Sequence, residues 1–138
     1  MQKCEQPLFL LPKTMKVTKR NLIRKCTEIW SKIIRFPGKC ERCGKTQYLN
    51  SHHVIGRINY FLRFDLRNGC CLCSSCHVFS KEAAHNDPIG FINWFKDTRP
   101  DDYQYLLENR NKIAHYSIYD YQNILKNLKE KLKEVGGD

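Results

Sequence analysis

Cys40 and Cys43 form one C-x-x-C and Cys73 and Cys76 a second, with twenty-nine residues between them. Two such knuckles offer four thiolates, the number that closes a tetrahedral zinc site without an open position. A closed site is structural, and the short segments around it then depend on the metal for their shape. Cys70 and Cys73 share the spacing, with Cys71 between them, so the second knuckle has a rival. The small polar pair Ser74 and Ser75 suits a turn between Cys73 and Cys76, which leaves Cys70 and Cys71 as buried strand residues. The other use of eight cysteines is a secreted disulfide framework. Against it, the longest apolar run near the N-terminus, Leu8 to Leu11, is cut by Pro12 and is neither a leader nor a membrane span. The expectation is a soluble, cytoplasmic protein with reduced thiols. A redox C-x-x-C is disfavoured, because no βαβ pattern surrounds either pair.

Between the knuckles runs Ser51-His52-His53-Val54-Ile55-Gly56-Arg57, and His77 directly follows the last cysteine. Adjacent strand residues point to opposite faces, so His52 and His53 cannot share one task. One can bind a metal while the other acts as a base, imidazole having an ordinary pKa near neutrality. His77, fixed at a helix start by Cys76, could supply a second ligand. His85 lies two helical turns beyond His77, on the same face if the helix persists, as a third ligand or a phosphate contact. Asn68-Gly69 is by local chemistry a turn.

The set Cys40-x-x-Cys43, His52-His53, Asn68 and Leu72-Cys73-x-x-Cys76-His77 resembles the HNH nucleases, the ββα-metal endonucleases, over residues 40–77. Gly56-Arg57, Leu62-Arg63-Phe64-Asp65, Asn68-Gly69, Cys76-His77, Ala84-His85 and Pro88 with Trp94 are similar to phage recombination nucleases of the NinG type. The resemblance implies that His53 is the general base activating water and that His52 and His77 hold a catalytic divalent ion. Asn68 would brace the loop that orients the base. The implied reaction is hydrolysis of DNA phosphodiesters to a 5′ phosphate and a 3′ hydroxyl. Many relatives carry an acidic residue where His52 stands. Among Mg²⁺, Mn²⁺, Ni²⁺ and Zn²⁺, imidazole ligands favour the last three. Many also carry histidine or asparagine where this chain has Lys81.

These groups need elements to position them. Thr18 can cap a helix whose apolar stripe is Leu22, Cys26, Ile29 and Ile33, with Ile23, Trp30 and Ile34 beside it, stopped by Pro37-Gly38. Asp87-Pro88 opens a second helix through Phe91, Ile92, Trp94 and Phe95, ended by Arg99-Pro100. A third starts at Asp101 or Asp102 with Tyr105, Leu106 and Leu107 inward. Ser117 and Asp120 form a capping box before Tyr121, Leu125, Leu128, Leu132 and Val135, which suit packing on the chain's own core, with a dimer contact second. The expected fold class is α+β: a zinc-stapled ββα-metal core with flanking α-helices. It divides into a basic N-terminal arm and helix (1–38), the nuclease core (39–86) and a C-terminal helical extension (87–138), in one compact domain.

Lys and Arg number 24 against 14 Asp and Glu, a formal charge of +10, which favours a polyanionic partner. Residues 1–39 hold ten basic and two acidic side chains. Arg24 and Lys32 of the first helix, with Arg57, Arg63, Arg67 and His85, are the candidate phosphate contacts. The expected partner is DNA, in branched or single-stranded form if the finer resemblance holds, with no membrane. The chain would act as monomer or homodimer, in the host cytoplasm if phage-encoded. The alternative function is a noncatalytic zinc-bound nucleic-acid binding module. A third possibility is an interaction protein that recruits a partner through the Tyr121-to-Val135 seam.

Overall fold

Capping chemistry sets where the helices begin. Thr18 Oγ1 accepts from the Asn21 N–H at 3.1 Å and opens α1, Lys19–Arg35. Asp87 accepts from the Gly90 N–H ahead of α2, Pro88–Thr98, with proline at its first position. Arg99 closes α2, and α3 (Pro100–Asn109) starts at once, a residue ahead of the expected Asp101 because a second proline takes the first helical position. The Ser117 and Asp120 capping box opens α4, Ile118–Glu134. The structure, a computed structural model, describes residues 16–137. The arm before Lys16, including Leu8 to Leu11, lies outside the described residues.

The fold is mixed α+β with one small sheet. Strands β1 (Leu49–His53) and β2 (Gly69–Cys73) pair antiparallel, with Leu49 opposite Cys73, His52 opposite Cys70 and His53 opposite Gly69. A 3₁₀ turn, Leu66–Asn68, leads into β2, and a single π-helical turn, Ser75–Phe79, follows it. No helix among the described residues is long and apolar enough to cross a membrane.

The chain divides into two units. One joins the described residues up to Ile33 with those from His115 on, and the other is Ile34–Ala114. In the first, α1 buries Leu22, Cys26, Ile29, Trp30 and Ile33, and α4 buries Tyr121, Leu125, Leu128 and Leu132. The Cys26 thiol donates to the Tyr121 carbonyl across 3.8 Å. The seam of α4 is therefore buried within the chain.

In Ile34–Ala114 the core is Cys40, Leu62, Cys70, Leu72, Cys73, Ala84, Phe91, Phe95 and Leu106. Helices α2 and α3 thus belong with the cysteine segments, while α4 belongs with α1; the 87–138 extension expected from sequence is divided between the units. All five residues of β2 are buried, and its outer edge is covered. The Cys71 N–H donates to Glu41 Oε2 (2.8 Å), and the Glu41 N–H donates to the Cys71 carbonyl (2.9 Å). Arg99 Nη1 donates to the Gly69 carbonyl at 2.8 Å and to Glu41 Oε1 at 3.1 Å. Covering an edge in this way satisfies buried backbone groups and denies them to another strand.

Asp65 anchors α3 to the 3₁₀ turn. Its carboxylate accepts from the Arg67 guanidinium twice at 3.0 Å and from the Tyr105 hydroxyl at 2.8 Å. Burial pushes this carboxyl up, but the Arg67 and Tyr105 hydrogen bonds outweigh it and hold the group below its ordinary value. A folded pKa below the unfolded one gives stability that is present above the unfolded value and lost as pH falls through the folded one. Tyr105→Phe is therefore expected to cost about 1 kcal/mol in urea unfolding, equally at pH 5 and pH 8. A loss confined to either pH would contradict this assignment.

Candidate functional site

The four sulfurs of Cys40, Cys43, Cys73 and Cys76 all lie within 4.8 Å of one another, and those of Cys43 and Cys73 are 3.6 Å apart. A tetrahedron with metal–sulfur bonds of about 2.3 Å needs sulfur separations of about 3.8 Å, so the set fits zinc. The first knuckle turns through Gly44 in the left-handed region (φ +84), its N–H donating to the Cys40 carbonyl at 2.9 Å. The second is tied to the start of β1 by Ser74, whose N–H and hydroxyl both donate to the Tyr48 carbonyl. Burial pushes the Cys40 thiol up, yet the N–H groups of Cys73, Cys43 and Arg42 outweigh it and bring it down to about 7. Burial instead drives Cys71 up to about 11 and Cys70 higher still, so both remain thiols. Cys70 sits opposite His52 in the buried strand, outside the sulfur cluster, which removes the rival knuckle.

A second cluster joins His52, His77 and His85, with ring nitrogens all within 4.8 Å. His52 comes from β1, His77 from the π-helical turn, and His85 from the loop before α2. The expectation that His85 reaches His77 along a continuing helix is corrected here: the helical turn ends at Phe79 and the chain doubles back. The Ala84 N–H then donates to the Cys76 carbonyl (2.8 Å) and the His85 N–H to the His77 carbonyl (3.1 Å). That reversal brings His85 Nε2 within 3.1 Å of His77 Nε2. Asn86 fixes it, with Nδ2 donating to the Val78 and Ser80 carbonyls at 2.8 Å each.

The tautomer of His77 follows from a neighbour. Its Nδ1–H donates to Asn50 Oδ1 at 3.0 Å, which leaves the Nε2 lone pair on the side of His85. Phe91 stands edge-on to His52 with ring centres 4.9 Å apart. Burial, then the neighbouring imidazoles, lowers His52 to about 3, and burial with His85 lowers His77. Both are neutral at pH 7, the form that ligates a metal. Three imidazoles brought together this closely suit a divalent cation, one nitrogen from each. Asn50→Leu is expected to weaken divalent-ion binding about 10- to 100-fold in calorimetric titration of the zinc-loaded protein, while Asn50→Asp retains it. Equal affinities in all three proteins would remove Asn50 from this role.

His53 ends β1 on the face opposite His52. Its Nε2–H donates to the Arg63 carbonyl at 2.9 Å, which places the ring's lone pair on Nδ1. The near-neutral pKa expected from sequence is corrected: burial, followed by the charges of Arg63 and Arg57, depresses it to about 4, although the Arg63 carbonyl pulls upward. Asn68 is wholly buried and clamps the loop after β1. Its Oδ1 accepts from the Ile55 N–H at 2.7 Å, and its Nδ2 donates to the Ile55 and Leu62 carbonyls at 2.9 and 3.2 Å. Asn68 is thus a brace of the His53 loop through the backbone.

The candidate phosphate contacts divide. Arg57 is exposed, and Arg63 lies over the rings of Tyr60 and Phe64. Arg67 has a structural use: its guanidinium pairs with Asp65 and lies 3.4 Å from the Tyr105 ring centre. Arg24 and Lys32 are exposed on α1, and Lys129 of α4 is depressed by burial, then by Lys25, Lys133 and Lys32, the mark of crowded positive charge. Two participants escaped the sequence reading. Asn50 was legible as the residue two before His52 on the same strand face, whereas Phe91 read only as core. Comparison of the chain with family models, curated proteins and solved structures finds no match.

Proposed function

We propose that the protein is a metal-dependent endonuclease of the HNH, ββα-metal kind that hydrolyses DNA phosphodiesters. The observation that carries this reading is the division of labour on β1: His52 joins His77 and His85, while its neighbour His53 is held apart as the Nε2–H tautomer. His52, His77 and His85 would hold a divalent ion, which when bound supplies Lewis-acid stabilisation of charge on the phosphate oxygens. The four cysteines would hold the structural zinc.

His53 accepts the proton of the attacking water at Nδ1 as the water oxygen bonds to phosphorus, and the 3′ oxygen leaves as its bond to phosphorus breaks, taking a proton from a solvent water. The products are a 5′ phosphate and a 3′ hydroxyl. At neutral pH the depressed pKa keeps the base unprotonated, and a phosphate beside Arg57 and Arg63 offsets their charges and strengthens it. Backbone contacts by Arg57 and Arg63 bind DNA without reading its sequence.

Nicking of supercoiled plasmid by the zinc-loaded protein tests the reading. The expected result is cutting with Mn²⁺ or Ni²⁺ in preference to Mg²⁺, because the ligands are imidazoles, with nicks that ligase reseals directly. DNA binding without cutting under any of these ions would replace it with the noncatalytic zinc-bound module.

A further inference from the structure

The loop after β1 leaves His53 and returns to it, since the Arg63 carbonyl accepts from the His53 ring. It is pinned along its length. The Asn59 N–H donates to the Gly56 carbonyl (3.0 Å), Asn59 Nδ2 to the Arg110 carbonyl (2.8 Å), and the Leu62 N–H to Asn59 Oδ1 (3.0 Å). Asn68 holds Ile55 and Leu62 from beneath. At the crown stands Ile58, 89% exposed, the most exposed large apolar side chain among the described residues.

A slack loop could fold such a side chain away from water, whereas this one is hydrogen-bonded into holding it out. Its surroundings select the partner. Arg57 precedes it, exposed, and in half-buried Arg63 the buried Nε–H has no hydrogen-bond partner among the described residues. A polyanion suits the two positive charges of this loop, and the stacked bases of a duplex are the apolar surface a polyanion offers. Apolar side chains so presented enter a groove and part a base step.

Resting on the nuclease reading, we propose that Ile58 is a wedge that enters the duplex beside the scissile phosphate and unstacks one base step, with Arg57 and Arg63 on flanking phosphates. Unstacking costs free energy, so a step already weakened by a mismatch is preferred.

The test uses a short duplex carrying 2-aminopurine, titrated with zinc-loaded protein without added catalytic ion, so that binding is read apart from cleavage. Wild type is expected to raise the fluorescence severalfold at saturation, and Ile58→Phe to keep the rise. Ile58→Ala loses it while its affinity, set by phosphate contacts, changes by less than about threefold. With the ion added, the wild-type preference for mismatched over paired duplex, about tenfold, falls to near unity in Ile58→Ala. Bound wild-type protein without a fluorescence rise, or an equal rise with Ile58→Ala, overturns the wedge and leaves the nuclease reading standing. A rise without any cleavage sinks the nuclease and keeps the wedge. Protein that does not bind DNA at low salt removes both.

Discussion

Stripping the metal from the cysteine site is expected to unfold the Ile34–Ala114 unit and to abolish divalent-ion binding at the histidines in the same step. Two five-residue strands are too little sheet to stand alone, and two of the nine core residues of this unit, Cys40 and Cys73, belong to the sulfur cluster. Structural zinc contributes on the order of 10 kcal/mol to small domains, comparable with the whole stability of an ordinary one. The link to the histidines is covalent and short. Cys76 precedes His77, and the Cys76 carbonyl holds the Ala84 N–H that sets His85 in place. Cys40→Ser and Cys76→Ser should both lose the cooperative thermal transition of this unit, and exposure to a strong chelator should do the same to wild type. Circular dichroism with metal analysis checks it. A Cys76→Ser protein that keeps one zinc and unchanged affinity for Mn²⁺ would show that the two clusters are independent.

The second large effect is kinetic. His53→Ala is expected to lower the nicking rate by about 10²- to 10⁴-fold, the range spanned by general-base catalysis. Its structural cost includes the hydrogen bond to the Arg63 carbonyl, about 1 kcal/mol. Zinc content and DNA affinity should stay close to wild type. A merely structural histidine and a base are separated by rescue: imidazole added to His53→Ala should restore a measurable part of the rate, increasingly as pH rises through the ordinary imidazole pKa. His77→Ala should not be rescued this way, because its deficit is in ion affinity. Equal cutting by wild type and His53→Ala would take the base away from this residue.

Much of this organisation was legible in the chain. The caps at Thr18, Asp87 and Ser117 each depend on residues three apart, and all three formed as read. The choice of Cys73 and Cys76 over Cys70 rested on two serines that suit a turn, and the opposition of His52 and His53 on strand alternation. His85 was harder. Helical spacing pointed to the right partner for the wrong reason, since the helix stops and a reversal held by backbone hydrogen bonds replaces it. Arg67 looked available because its partners Asp65 and Tyr105 come from the chain just before it and from a helix far after it.

What the sequence determined by itself is chemistry fixed within a few bonds: which thiols can turn together, which imidazoles alternate, where helices start, and the positive charge that favours a polyanion. What only the tertiary structure decided is chemistry that depends on distant chain and on water being excluded. Glu41 and Arg99 meet on the outer edge of β2. Asn50 sets the tautomer of His77. Phe91 closes against His52, and burial moves His53 well below an ordinary imidazole. Desolvation and loop closure act through space, so no spacing along the chain encodes them.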